Sequence, residues 1–167
     1  TIFNFLGPFV SPASVTRQLI GVPDLMVAKR LTAVAKKLLY KNLVLVASED
    51  GLDEVSLCTN THIFVIQEKN SKQSIIRPES FGFTRVTPEA LLGGTIEENA
   101  QIIRDILAGE KGPKRDVVIL NAAVALLAAE KVTEIADGIE LAAAAIDSGN
   151  ATKALANLVK ETQQYAK

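Results

Sequence analysis

A helix-spaced segment that runs almost directly into an unbroken apolar tetrad is the feature of this sequence that most limits its fold. Across residues 22–39, apolar side chains recur at Leu25, Ala28, Leu31, Ala35 and Leu38, with Pro23 near the start and Lys36 and Lys37 near the end. That spacing predicts an amphipathic helix. Residues 43–46 (Leu-Val-Leu-Val) follow at once. So short and so apolar a run predicts a strand buried on both faces, and a helix feeding such a strand predicts a parallel α/β arrangement. Residues 48–53 are then the loop beyond the strand's carboxyl end, where open α/β sheets bind their ligands.

Further along, the β-branched runs 61–67 and 74–77 flank a polar stretch with an Asn-Ser turn signal, Asn70-Ser71, and predict a hairpin. After Gly93 and Gly94, Thr95 with Glu98 three residues later forms a capping box for a helix reaching Leu107, with Gly109 as terminator. Three more helices are predicted over 116–130, 134–146 and 151–165. The last carries an apolar stripe through Ala154, Leu155, Leu158 and Val159. The expected fold is therefore α/β: a mixed, mostly parallel sheet flanked by helices, with its strands between residues 43 and 77 and a helical C-terminal half. The alanines at 142–145 read as close helix packing.

Composition narrows the function. Eighteen Lys and Arg against nineteen Asp and Glu leave a formal charge of -1, which gives no footprint for nucleic acid. No apolar run approaches the ~20 residues of a membrane span. The single cysteine, Cys58, cannot form an internal disulfide, and points to a reducing, cytoplasmic location. The chain starts at Thr1 with no basic region before its apolar residues, so no secretory signal is read, and a cut from a longer protein is expected.

Dinucleotide, P-loop, zinc-protease and nucleophile-elbow signatures are missing from the sequence. His62 and Cys58 lack neighbouring ligands or bases in sequence and read as structural. The loop Glu49-Asp50-Gly51-Leu52-Asp53-Glu54 packs four carboxylates into six residues. Such a cluster either binds a hard cation, of which magnesium accepts one or two carboxylates and completes its shell with water and phosphate, or is a solvated acidic turn. The bend Asn4-Phe5-Leu6-Gly7-Pro8-Phe9 either lines an apolar pocket or ends an edge segment. Residues 109–116 read as a helix connection in which Arg115 and Asp116 could pair.

Together, Thr1-Ile2-Phe3-Asn4-Phe5-Leu6-Gly7-Pro8, then Asp50-Gly51-Leu52-Asp53-Glu54-Val55-Ser56, then Gly93-Gly94 with Glu97-Glu98-Asn99-Ala100, and finally residues 109–116 with Asn121-Ala122-Ala123 resemble anthranilate phosphoribosyltransferase. The first two motifs separate that family from its relatives, the pyrimidine nucleoside phosphorylases. The resemblance implies an enzyme of tryptophan biosynthesis, transferring phosphoribosyl from phosphoribosyl pyrophosphate (PRPP) to anthranilate with release of pyrophosphate. It implies magnesium held by Asp53 and Glu54, substrate contact at Gly7 and Pro8, and a homodimer for the complete enzyme. It also implies that residues 1–167 form the C-terminal α/β domain, with the helical domain and the glycine-rich PRPP loop outside this chain, which alone should be inactive. Ala47 stands where a histidine is common, and Phe9-Val10-Ser11-Pro12 departs from the usual stretch. The alternative is a non-catalytic assembly or regulatory module on the same fold.

Overall fold

The structure, a computed structural model, describes residues 7–10, 13–38 and 40–165. Asn4 and the other residues of the 1–6 motif, together with Ser11 and Pro12, lie outside the described residues. In chain order the elements are β1 (Arg17–Gly21), α1 (Leu25–Ala35), β2 (Asn42–Ser48), β3 (Thr61–Gln67), β4 (Asn70–Ile76), short 3-10 turns at Pro78–Phe81 and Pro88–Leu91, α2 (Ile96–Leu107), α3 (Pro113–Ala128), α4 (Ile135–Asp147) and α5 (Asn150–Gln163).

β2 is buried along its whole length, and alternation along it divides the core in two. Leu43, Leu45 and Ala47 pack with Ala28, Ala35, Leu25 and Leu31 of α1. Val44 and Val46 face the other way, in a cluster with Leu120, Val124 and Ala128 of α3. Successive strand side chains point to opposite faces, so a strand covered on both sides must be apolar throughout. Each such side chain contributes about 1.5–3 kcal/mol on burial. Asp24 starts α1 by accepting the Val27 N–H at 2.8 Å, as an N-cap aspartate does.

The mixed α/β arrangement holds, with one correction. In the order β1-β2-β3-β4, only β1 and β2 run parallel; β2 with β3 and β3 with β4 are antiparallel. The described sheet is therefore not mostly parallel. The reason lies in the connections, because β1 reaches β2 through helix α1, whereas residues 49–60 hold no helix and return the chain beside β2 in reverse. β1 also precedes the region expected to hold the strands; its Arg17-Gln18 start and Gly21 end give no apolar run to read.

The hairpin turn is Glu68-Lys69, not Asn70-Ser71, since Gln67 pairs with Asn70 and Glu68 takes φ 53°. β4 is exposed except at Ile76, so its polarity reflects an outer strand rather than a loop. The Thr95–Glu98 capping box forms as read, with the Glu98 carboxylate accepting the Thr95 N–H at 2.7 Å and the Thr95 hydroxyl accepting the Glu98 N–H at 3.2 Å. The Thr95 N–H, and then the Thr95 hydroxyl beside it, hold the Glu98 carboxyl below its ordinary range. Small residues let α3 and α4 approach closely: a Cβ on Gly138 would lie 2.9 Å from the Ala123 carbonyl oxygen. α5 buries none of its residues, and Leu158 and Val159 of its stripe remain exposed.

Candidate functional site

At the carboxyl end of β2 the chain makes a tight acidic turn before it re-enters the core at Val55. Gly51 adopts φ 86°, a left-handed conformation natural to glycine. Its N–H donates to the Ser48 carbonyl at 3.1 Å, while the Ser48 N–H donates to the Leu52 carbonyl at 3.2 Å. These bonds close the loop on itself.

Two of the four carboxylates are engaged in building the turn. Asp50 accepts the Leu52 N–H at 3.3 Å and the Ser56 hydroxyl at 2.6 Å. Glu49 accepts the Thr59 hydroxyl at 3.2 Å and the Asn60 amide at 3.0 Å, and lies 3.7 Å from Nε2 of His62. Asp53 and Glu54 are exposed. Among the described residues, neither of their carboxylates meets a hydrogen-bond or ion-pair partner within the protein.

Their backbone, by contrast, is held from three sides. The Ser48 hydroxyl donates to the Glu54 carbonyl at 2.5 Å and sits 2.6 Å from the Thr61 hydroxyl. Asn121 of α3 accepts the Val55 N–H at 2.9 Å and donates to the Val55 carbonyl at 2.8 Å. At the end of β1, a Cβ on Gly21 would lie 1.5 Å from the Asp53 carbonyl oxygen. Ser48, Gly21 and Asn121 carry no site signal of their own in the sequence: Asn121 falls in the Asn121-Ala122-Ala123 motif, and Gly21 reads only as a glycine before Val22-Pro23.

A recess of about 400 Å³ opens beside the loop, and its wall includes Pro8, Phe9, Ile20, Leu31, Gly21 and Asp53. It thus joins Pro8 to Asp53 across a largely apolar surface. Gly7 and Glu54 do not line it. A Cβ on Gly7 would meet no atom within 4 Å, so no close approach demands glycine there. Ala47, buried in the α1-facing core, pairs with His62 across the sheet and sits below the loop rather than in the recess. A larger groove of about 510 Å³, with Asn42, Gln67, Lys72 and Glu130 on its wall, lies at the opposite, amino end of β2.

No group of three or more His, Cys, Asp or Glu side chains among the described residues forms a ready cage for a metal ion. Two unpaired, solvent-facing carboxylates fit a different kind of site. Magnesium dehydrates reluctantly and is commonly held by one or two carboxylates, with water and phosphate oxygens completing six positions. The donor set at Asp53 and Glu54 suits it.

Beyond the loop, the start of α3 is tied down by charge. Arg115, 7% exposed, donates to Asp147 at 2.7 Å, and Lys111 donates to the same carboxylate at 3.1 Å. Arg115 thus bridges to the end of α4 instead of pairing with Asp116. The Lys111 ammonium, with Arg115 beside it, holds the Asp147 carboxyl below its ordinary range, whereas burial pushes Asp116 up.

No helix among the described residues is long and apolar enough to cross a membrane. Residues 1–152 match a family model described as "Glycosyl transferase family, a/b domain". An anthranilate phosphoribosyltransferase of Dehalococcoides mccartyi is 42% identical over 168 residues, covering 99% of this chain and 49% of that protein. Anthranilate phosphoribosyltransferase from Saccharomyces cerevisiae in complex with 4-fluoroanthranilate superposes with a TM-score of 0.87 at 27% identity, covering 98% of this chain and 48% of that one. The same yeast protein in complex with PRPP and Mg gives 0.85 at 28% identity, with 98% and 48% coverage. The chain spans about half the length of the curated relatives it matches.

Proposed function

The chain belongs to the glycosyl transferase family, a/b domain, and from that premise we propose that it supplies the metal-binding half of an anthranilate phosphoribosyltransferase. Asp53 and Glu54 hold magnesium against the diphosphate of PRPP, and Pro8 offers an apolar face to the aromatic acid. The observation that carries this reading is the juxtaposition of the unpaired Asp53 with Pro8 on one recess. The yeast relatives with PRPP and Mg, and with 4-fluoroanthranilate, support the same ligand classes.

In the proposed reaction the anthranilate amino nitrogen forms a bond to the anomeric carbon of PRPP. The bond from that carbon to pyrophosphate breaks, pyrophosphate leaves with the electron pair, and the nitrogen gives up a proton. Magnesium, when bound, supplies positive charge where the leaving group becomes more negative. The protein's task is to fix the geometry. Asp53 and Glu54 contribute hard oxygen ligands from a backbone already anchored at Ser48 and Val55, so little ordering is left to occur on binding. Phe9, Ile20 and Leu31 share the recess and present no hydrogen-bonding side chain that would compete for a flat ring.

Among the described residues no Lys or Arg lines the recess, so the phosphates of PRPP need cationic or N–H partners from elsewhere in a complete site. We propose that these come from the remainder of a longer transferase, acting as a homodimer. Calorimetric titration of magnesium with pyrophosphate into this chain, compared with Asp53→Asn and Glu54→Gln, tests the reading; unchanged affinity in both variants would overturn it.

A further inference from the structure

We propose that Asn121 is a positioning residue for the acidic pair, a role that rests on the metal reading of Asp53 and Glu54. Four carboxylates in six residues repel one another, and a free loop would relax by spreading them apart. Two acids that must point at one cation therefore need a backbone that cannot relax. Asn121 provides that restraint from outside the loop.

The geometry of its carboxamide is fully specified. Oδ1 accepts the Val55 N–H at 2.9 Å, while Nδ2 donates to the Val55 carbonyl at 2.8 Å and to the Val117 carbonyl at 2.9 Å. Rotating the amide by half a turn would set donors against the Val55 N–H and the oxygen against two carbonyls, so one orientation satisfies every contact. Its neighbours Ile119 and Leu120 are 2% and 0% exposed, which anchors this turn of α3 in the core. Val55 is itself fully buried in the cluster that contains Leu120. The residue directly after Glu54 is thereby bolted to a helix, and the Ser48 hydroxyl fixes Glu54 from the other side. Side chains that orient metal ligands without touching the metal commonly change affinity by about 10- to 100-fold when removed.

The test compares the chain with its Asn121→Ala, Asn121→Ser and Asp53→Asn variants by two measurements. The first is calorimetric titration of magnesium with pyrophosphate as the probe; the second is amide hydrogen exchange at Val55. Asn121→Ala is expected to fold with an unchanged far-ultraviolet spectrum, lose about 10- to 100-fold in magnesium affinity, and exchange at Val55 about threefold to tenfold faster. Asn121→Ser, whose hydroxyl can still act as an acceptor, should recover part of both losses and serves as the comparison if the alanine variant does not fold. Magnesium affinity of Asn121→Ala equal to wild type, while Asp53→Asn weakens it, would overturn the positioning role. If Asp53→Asn also leaves affinity unchanged, the metal reading falls on its own, and unaltered exchange at Val55 would then overturn the clamp as well.

Discussion

Gly21 and Asp53 meet backbone to backbone: a Cβ at the first would stand 1.5 Å from the carbonyl oxygen of the second. No side-chain rotation can relieve that overlap, because the obstructing atoms belong to the main chain. Gly21→Ala is expected to lower stability by about 1–3 kcal/mol, the usual cost of forcing extra volume into a packed site, and to displace Asp53. Urea denaturation reads the first effect and magnesium–pyrophosphate titration the second. A variant equal to wild type in both would show that the two segments are free to part.

Asp53→Asn combined with Glu54→Gln should leave stability within about 0.5 kcal/mol of wild type, since both side chains are exposed and unpaired. Affinity for magnesium with pyrophosphate should fall by more than about 100-fold, beyond what removal of a supporting side chain costs. The contrast between an intact denaturation midpoint and a lost titration signal is the signature to look for.

The chain alone, given PRPP, anthranilate and magnesium, is expected to form no product. Among the described residues its recess has one carboxylate and an apolar wall but no cation to hold phosphate, and two substrates cannot be oriented by metal ligands alone. Detection of phosphoribosylanthranilate by fluorescence would contradict this.

Acidification should weaken the fold partly through Asp147. Its carboxyl is held low by Lys111 and then Arg115, so its contribution is fully present above the ordinary carboxylate range and is lost as pH falls through the depressed value. The Asp147→Asn variant should be less stable than wild type near neutrality, and the gap should narrow as pH drops below about 4. Stability curves of the two proteins that run parallel down to low pH would rule the linkage out.

Much of this was readable from residue order. The 25-28-31-35 spacing of α1 fits a helical period only, the apolar run of β2 is too short for a helix, and the Thr95–Glu98 box announces its helix by side-chain chemistry. β1 carries no apolar pattern because a strand at a sheet's rim needs none, and β4 is legible only from Ser74 onward; Asn70 and Ser71 look like a turn until Gln67 pairs with Asn70. At the acidic loop, residue spacing alone leaves four equivalent carboxylates, and the family resemblance is what points to Asp53 and Glu54. Tertiary contacts draw the same division on independent ground, holding Glu49 and Asp50 with Thr59, Asn60 and Ser56 and leaving the other two free. Asn121 lies 66 residues from its partner Val55, a distance no local pattern can bridge.

β2 keeps two separate neighbourhoods on its two sides, and this makes adjacent positions thermodynamic strangers. Shortening Leu45 opens space beside α1, and shortening Val46 opens space beside α3. The two losses should therefore add, whereas Leu45 with Leu43, which share one neighbourhood, should couple. Evolution can thus remodel the layer under one helix while the other stays as it was.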